Sequence, residues 1–193
     1  MNELPELVLA STSPYRRTLL DRLRIRYEAI APAWEEVRIE EDPDATVRAN
    51  ALGKARSGSQ ARPGAVVLGS DQVAFCSGRL LEKPGSAERA AEQLTWLAGR
   101  EHTLHTCVAL RTPDGRERDA TVVAHIWVRP LTREQIDSYI RHEDPIDCAG
   151  SYRFESLGIA LFERIVCEDP TAIQGLPLIS TCRLLEWAGW RLP

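Results

Sequence analysis

Four groups of residues in this sequence have types and spacings that could do chemistry. The first is Ser11-Thr12-Ser13-Pro14-Tyr15-Arg16-Arg17, where the apolar run Leu7 to Ala10 gives way to a helix start, with Ser13 as N-cap and Pro14 as first helical residue. Free backbone amides and the positive end of a helix dipole gather there, and both favour an anion. Two arginines in the first turn oppose that dipole and repel each other, which a bound phosphate relieves. A simple cap with solvated arginines is the plainer alternative. The second group, Ser70-Asp71-Gln72, closes the run AVVLGS, a strand buried on both faces. Open α/β sheets place their ligand crevices at such strand ends, so Asp71 can hold a divalent metal, position a water or merely cap a turn. The third, Trp34-Glu35-Glu36, sets paired carboxylates in a charged loop. Such carboxylates suit a hard cation shared with substrate phosphates, or simply solvent.

The fourth group is a pair of lysines. Of 24 lysines and arginines only Lys54 and Lys83 are lysine. In a chain that uses arginine nearly everywhere, a retained ammonium suggests a need for a compact, strongly hydrated point charge. Lys54 shares a helical face with Val47 and Ala51, so it points inward, away from Arg48 and Arg56. Lys83 precedes Pro84, which favours an extended backbone.

The elements that must position these groups can be read in order. The strand Leu7 to Ala10 leads into a helix to about Leu23, and Tyr27 to Ile30 forms a second strand. The loop Trp34 to Asp44 precedes an alanine-rich helix from Ala45 to Gln60. The strand 65–70 ends at Asp71, and a hairpin turned at Ser77-Gly78 follows. Ser86 caps a helix to about Ala98. Two long strands, near 103–111 and 118–129, are joined by Thr112-Pro113-Asp114-Gly115. Thr132 caps a helix to about Arg141, Gly158 to Glu163 reads as a strand, and Leu176 to Trp187 as the last helix. Strand–helix units mixed with hairpins predict one α/β domain over 1–193: a mixed twisted sheet with flanking helices.

Composition removes other classes. The formal net charge is −4 and the pI about 5.7, so no global basic field gathers nucleic acid. The five tryptophans are dispersed, without a basic stripe between them. His102 and His105 differ by three, so on a strand they face opposite sides and cannot chelate together. No GxSxG, Walker A run or GxGxxG is present. Five cysteines without metal-ligand spacing suit reduced thiols. Glu3 and Glu6 stand where a signal peptide wants positive charge, and no segment approaches a membrane span. The expectation is a cytoplasmic protein with a small-molecule partner, no nucleic acid and no membrane, and with a homodimer left open.

Together, LASTSPYRR (9–17), WEE (34–36), ALGKA around Lys54, LGSDQV (68–73), EKP (82–84), IDSYI (136–140), CAGSY (148–152) and GLPL (175–178) resemble the Maf family of nucleoside triphosphate pyrophosphatases across nearly the whole chain. The resemblance implies a Maf/ITPase-like fold with a nucleotide-binding cleft. It implies hydrolysis between the α and β phosphates of a nucleoside triphosphate, with Mg²⁺ or Mn²⁺, to a monophosphate and pyrophosphate. It places Ser11, Arg16, Arg17, Lys54 and Lys83 on the triphosphate, Glu36 and Asp71 on the metal, and Asp71 as general base or metal ligand. Two departures stand out. Glu82 and Cys107 replace family glycines, removing access to positive φ, adding a side chain near the cleft and setting a repelling charge beside the triphosphate. Three positions, Tyr15, Gln72 and Glu155, are similar to the branch acting on 7-methyl-GTP, which usually carries Trp, Gln and Glu. Glu155 can accept two hydrogen bonds from a guanine edge, and a cationic methylated base gains roughly 0.5–2 kcal/mol on an aromatic face. The alternatives are the dTTP and UTP branch, a broad pyrophosphatase for noncanonical nucleotides, and a non-hydrolysing nucleotide sensor that inhibits cell division.

Overall fold

The structure, a computed structural model, describes residues 5–193; the start of the chain, including Glu3, lies outside the described residues. Strands β1 (Leu7–Ala10), β2 (Glu28–Ile30), β3 (Val66–Cys76), β4 (Arg79–Leu81), β5 (Glu101–Arg111), β6 (Glu117–Val128) and β7 (Phe162–Val166) form one sheet. Its order is β2-β1-β3-β5-β6-β7, with β4 added to β3; β1 runs parallel to β2 and β3, and the other pairs are antiparallel. The mixed α/β sheet is therefore the one the element order predicts.

Five helices flank it: α1 (Pro14–Asp21), α2 (Pro43–Ala61), α3 (Ala87–Leu97), α4 (Arg133–Glu143) and α5 (Leu178–Trp187). The predicted caps are in place. Ser13, Ser86 and Thr132 each accept a backbone N–H of the first turn, and Thr132 with Gln135 completes a capping box. Helix α2 starts earlier than expected because Asp42 caps it and Pro43 takes the first turn. The last helix starts at Leu178, two residues after the expected Leu176, because Pro177 is its cap residue.

Two expectations are corrected. The expected strand from Gly158 begins at Phe162, since Leu157–Leu161 wind into a 3₁₀ turn first. Asp71 does not close a strand; β3 runs on through it to Cys76, 11 residues in all. What ends is its partner. Strand β1 pairs from Leu7↔Val66 to Ala10↔Gly69, and β4 only takes over at Ala74↔Leu81. Between them one edge of β3 lies open at residues 70–73, while β5 covers the other edge without a break. That opening is the crevice that the strand end was expected to make.

Alternation along β3 sorts its side chains. Val66, Leu68 and, farther on, Ala74 and Cys76 face the side covered by α1 and α5 at one end and by α3 and α4 at the other. Between these two apolar clusters runs a polar seam that ties the 3₁₀ turn Pro170–Gln174 and Gly175 to the sheet. Ser70 Oγ donates to Gly175 O at 2.9 Å, Thr106 Oγ1 to Ala172 O at 3.0 Å and Gln72 Nε2 to Ala172 O at 2.8 Å. Asp71 faces the opposite side, under α2. That helix lies directly on the sheet because position 69 is glycine: a Cβ there would sit 2.2 Å from Ala51 O. No helix among the described residues is long and apolar enough to cross a membrane.

Candidate active site

Helix α2 carries Lys54 inward, as its small apolar neighbours predict; the side chain is 7% exposed. Its ammonium meets Asp71 Oδ1 at 2.7 Å and Glu36 Oε1 at 2.5 Å, so both expected metal carboxylates converge on one point beside the open edge of β3. Burial pushes the Glu36 carboxyl up, but the hydrogen bond and charge of Lys54, with Arg16 and Lys83 beyond, more than offset this and hold it below its ordinary value. Two carboxylates without a further protein ligand suit a magnesium-type cation whose remaining positions are filled by substrate phosphates and water. Among the described residues no group of three or more His, Cys, Asp or Glu forms a protein-only metal cage.

Two adjoining cavities surround this cluster. The first, about 430 Å³, is lined by the Ser11–Arg16 junction, Trp34, Gln72, Arg153, Glu155 and the turn at Gly175. The second, about 390 Å³, contains Asp71 and Asn50 and reaches Leu80–Lys83. Arg16, Glu36, Lys54, Gln72 and Lys83 line both. In α1, Arg16 turns inward and donates from Nε to Gly175 O at 2.8 Å, with Nη1 3.4 Å from Ser11 Oγ. Burial works against its charge, and the nearby Asp71 and Glu36 support it. Arg17, one position on, is exposed and lines neither cavity. The first-turn cluster thus divides, with one arginine in the cleft and one outside it.

The three specificity positions all line the first cavity. Tyr15 is half-buried, and burial, then the neighbouring Cys148 and Asp147, push its phenol up to about 12, so it is neutral at physiological pH. Gln72 donates its amide nitrogen to Thr106 and to the 170–173 backbone, leaving its carbonyl oxygen as what it can offer a ligand. Glu155 is exposed on the rim.

Both departures from the family pattern are milder than the sequence suggests. Cys107 does not border the cleft; it is 0% exposed and packs with Val47, Ala51, Ala55 and Ala109 under α2. Burial pushes its thiol up to about 12. Glu82 is drawn to Arg38, 3.0 Å away, which offsets the charge it sets beside the cleft. Neither position has a positive φ, so neither needs glycine for its backbone.

Asn50, Trp34 and Arg153 complete the site. Asn50 is 2% exposed and joins the whole assembly. Its Nδ2 donates to Asp71 Oδ2 at 3.0 Å and to Val37 O, while its Oδ1 accepts from Trp34 Nε1 and Val37 N. The 34–37 loop and the Asp71 carboxylate are therefore set by one amide, which shares the inward side of α2 with Val47, Ala51 and Lys54. That was the available signal. Trp34 stands beside the carboxylates of the 34–36 loop, but its indole lines the first cavity and lies over Gly53, where a Cβ would come within 2.2 Å of the ring. Arg153 holds Glu143 and Asp147, and its guanidinium lies 5.8 Å from the Tyr15 ring centroid. Spacing does not betray it, because its partners come from α4 and the loop after it.

The role of Asn50 is directly testable. Asn50→Ala removes the donor to Asp71 and both anchors of Val37, and is expected to cost roughly 2 kcal/mol in urea unfolding. Turnover should fall by about tenfold in the folded variant, because the carboxylate and the Glu36 loop lose their common reference.

The family model described as Maf-like protein matches residues 6–188. The 7-methyl-GTP pyrophosphatase of Cupriavidus pinatubonensis is 44% identical over 191 residues, covering 97% of this chain and 95% of that protein. The 7-methyl-GTP pyrophosphatase of a Polaromonas species is 46% identical over 185 residues, covering 95% of this chain and 84% of that protein. Among solved structures, the Ham1 protein of Staphylococcus aureus aligns at a TM-score of 0.49 and 17% identity, over 64% of this chain and 71% of that one. With a family match across nearly its whole length and relatives of this identity over almost all of both chains, the protein belongs to the Maf family.

Proposed function

We propose that this protein hydrolyses 7-methyl-GTP between the α and β phosphates, releasing 7-methyl-GMP and pyrophosphate. The observation that carries the reading is the convergence of Glu36 and Asp71 on the buried Lys54, at the junction of a base-sized cavity and a charged one. The relatives described above bear that activity in their names. Magnesium or manganese, held by Glu36 and Asp71, supplies positive charge to the phosphate oxygens when bound. Lys54, Arg16 and Lys83 bind the phosphate chain, and Ser11 adds a hydroxyl at the helix start. Asp71 holds the attacking water and accepts its proton, since each of its oxygens keeps a lone pair beyond its bond to Lys54 or Asn50. Charge then builds on the α–β bridging oxygen as it leaves with pyrophosphate, and Lys83 and Arg16 stabilise it. We place the reaction in the cytoplasm.

Base recognition falls to the first cavity. A cationic, methylated guanine gains from the faces of Trp34 and Tyr15, and Glu155 accepts from its N1–H and N2–H edge. Arg153 already sits near the Tyr15 ring, so Trp34, 37% exposed, offers the freer face. Glu155→Gln sets a donor against a guanine donor and is expected to lose a good part of the roughly 1–3 kcal/mol of a bidentate base contact. The measurement is the kcat/KM ratio of 7-methyl-GTP to UTP, which should fall severalfold or more; an unchanged ratio removes Glu155 from base reading.

A further inference from the structure

A third cavity, of about 380 Å³, adjoins the charged one along Leu80–Lys83, a segment that lines both. The charged cavity shares a wall with each of the others, whereas the first and third have only Lys83 in common, so the three follow in series from the base-binding end past Asp71 to this last one. The shared wall also carries the Arg38–Glu82 ion pair, whose side chains are 41% and 65% exposed. Beyond it, Arg79, Lys83 and Arg89 are exposed, and among the described residues none is ion-paired with a carboxylate. The Arg79 guanidinium lies 5.1 Å from the centroid of the Trp96 ring. A guanidinium laid on an indole offers a flat, cationic surface of the kind on which another ring system stacks.

These features are those of a site for a phosphate chain that carries a second flat group. Asp71 lines only the middle cavity, so the bond to be cut lies there; the β and γ phosphates reach as far as Lys83, and only a group attached beyond the γ phosphate extends to Arg79 and Arg89. We infer that the third cavity receives a nucleotide attached to the terminal phosphate, so that the enzyme also cleaves dinucleotides joined 5′ to 5′ through a triphosphate. The inference rests on the function proposed above. Water adds its oxygen to the α-phosphorus on the 7-methylguanosine side, the α–β P–O bond breaks, and the bridging oxygen leaves with the β-phosphate. One water proton passes through Asp71 to solvent. 7-Methylguanosine-triphospho-guanosine and water thus give 7-methyl-GMP and GDP, with no redox partner.

The test compares that dinucleotide with 7-methyl-GTP, using the wild-type enzyme and an Arg79→Ala/Arg89→Ala variant in magnesium, with products separated and identified. Both substitutions are at exposed positions outside the triphosphate cleft. The wild type is expected to yield 7-methyl-GMP and GDP from the dinucleotide. The variant should lose at least roughly tenfold in kcat/KM on it while staying within about twofold on 7-methyl-GTP, because two charge-assisted contacts are removed from the dinucleotide alone. An enzyme that cleaves 7-methyl-GTP but not the dinucleotide, or a variant that slows both equally, overturns the inference and leaves the proposed function standing. An enzyme that cleaves neither refutes both.

Discussion

Asp71→Asn is expected to lower kcat by about 10²–10⁴-fold while most nucleotide binding survives. The substitution keeps the shape of the side chain and one acceptor oxygen, so the cradle formed by Lys54, Arg16 and Lys83 stays in place. What it deletes is the charge and the capacity to take a proton from water. Asp71 Oδ1 accepts from Lys54 Nζ at 2.7 Å and Oδ2 from Asn50 Nδ2 at 3.0 Å. An amide must turn its own N–H₂ toward one of these donors, so a hydrogen bond is lost, at a cost of roughly 1–3 kcal/mol to stability. Single-turnover kinetics and equilibrium binding of nucleotide separate the two effects. A variant that retains turnover within a few-fold of wild type would take Asp71 out of the chemistry.

Lys54→Met should be the most destabilising single change in the site. It removes the cation from a buried pair whose side chains are each 7% exposed, leaving Asp71 and Glu36 facing the same empty point. Breaking a buried pair from one side costs about 3–5 kcal/mol, which urea unfolding would measure. The pH dependence has a defined sign. Glu36 is held below its ordinary value in spite of burial because Lys54 favours its ionised form. A carboxylate depressed in the folded state adds stability that is present above its unfolded pKa and is lost as pH falls through its folded pKa. Without Lys54 only the more distant Arg16 and Lys83 oppose the burial that pushes Glu36 upward, so the depression weakens. The acid limbs of stability and of kcat should therefore both move to higher pH. Lys54→Arg restores a charge but not its position, because a longer planar fork cannot sit where the ammonium meets both carboxylates. It is expected to lower kcat/KM at least about tenfold, or 1.4 kcal/mol.

Much of this arrangement is legible in the residues. Caps at Ser13, Ser86 and Thr132, the turn at Ser77-Gly78 and the unbroken apolar run that opens β3 are local chemistry, and local chemistry places most elements to within a few residues. The inward face of α2 predicts the burial of Lys54, because helical spacing binds it to Val47 and Ala51. Other features depend on pairing between distant segments. Asp71 reads as the end of a strand because the apolar run stops there, yet the strand continues and its neighbour is what stops; no local pattern records the length of β1 relative to β3. Cys107 reads as a cleft residue from its place in a motif, whereas strand register puts its side chain under α2. Asn50 and Arg153 draw their importance from partners 6 to 21 residues away; the inward face of α2 marks Asn50 as buried, but no spacing reveals what either residue binds. Arg17 shows the opposite error: adjacency to Arg16 suggests a shared role, but consecutive helical positions diverge by about 100°, and only Arg16 enters the cleft.

The central claim is tested most directly by one substrate panel with product identification: 7-methyl-GTP, GTP, UTP, dTTP and CTP, each incubated with the enzyme and magnesium or manganese. The account predicts that 7-methyl-GTP is hydrolysed with the highest kcat/KM and that its products are 7-methyl-GMP and pyrophosphate. Release of 7-methyl-GDP and orthophosphate, equal or faster hydrolysis of UTP and dTTP, or tight nucleotide binding with no product would each contradict it.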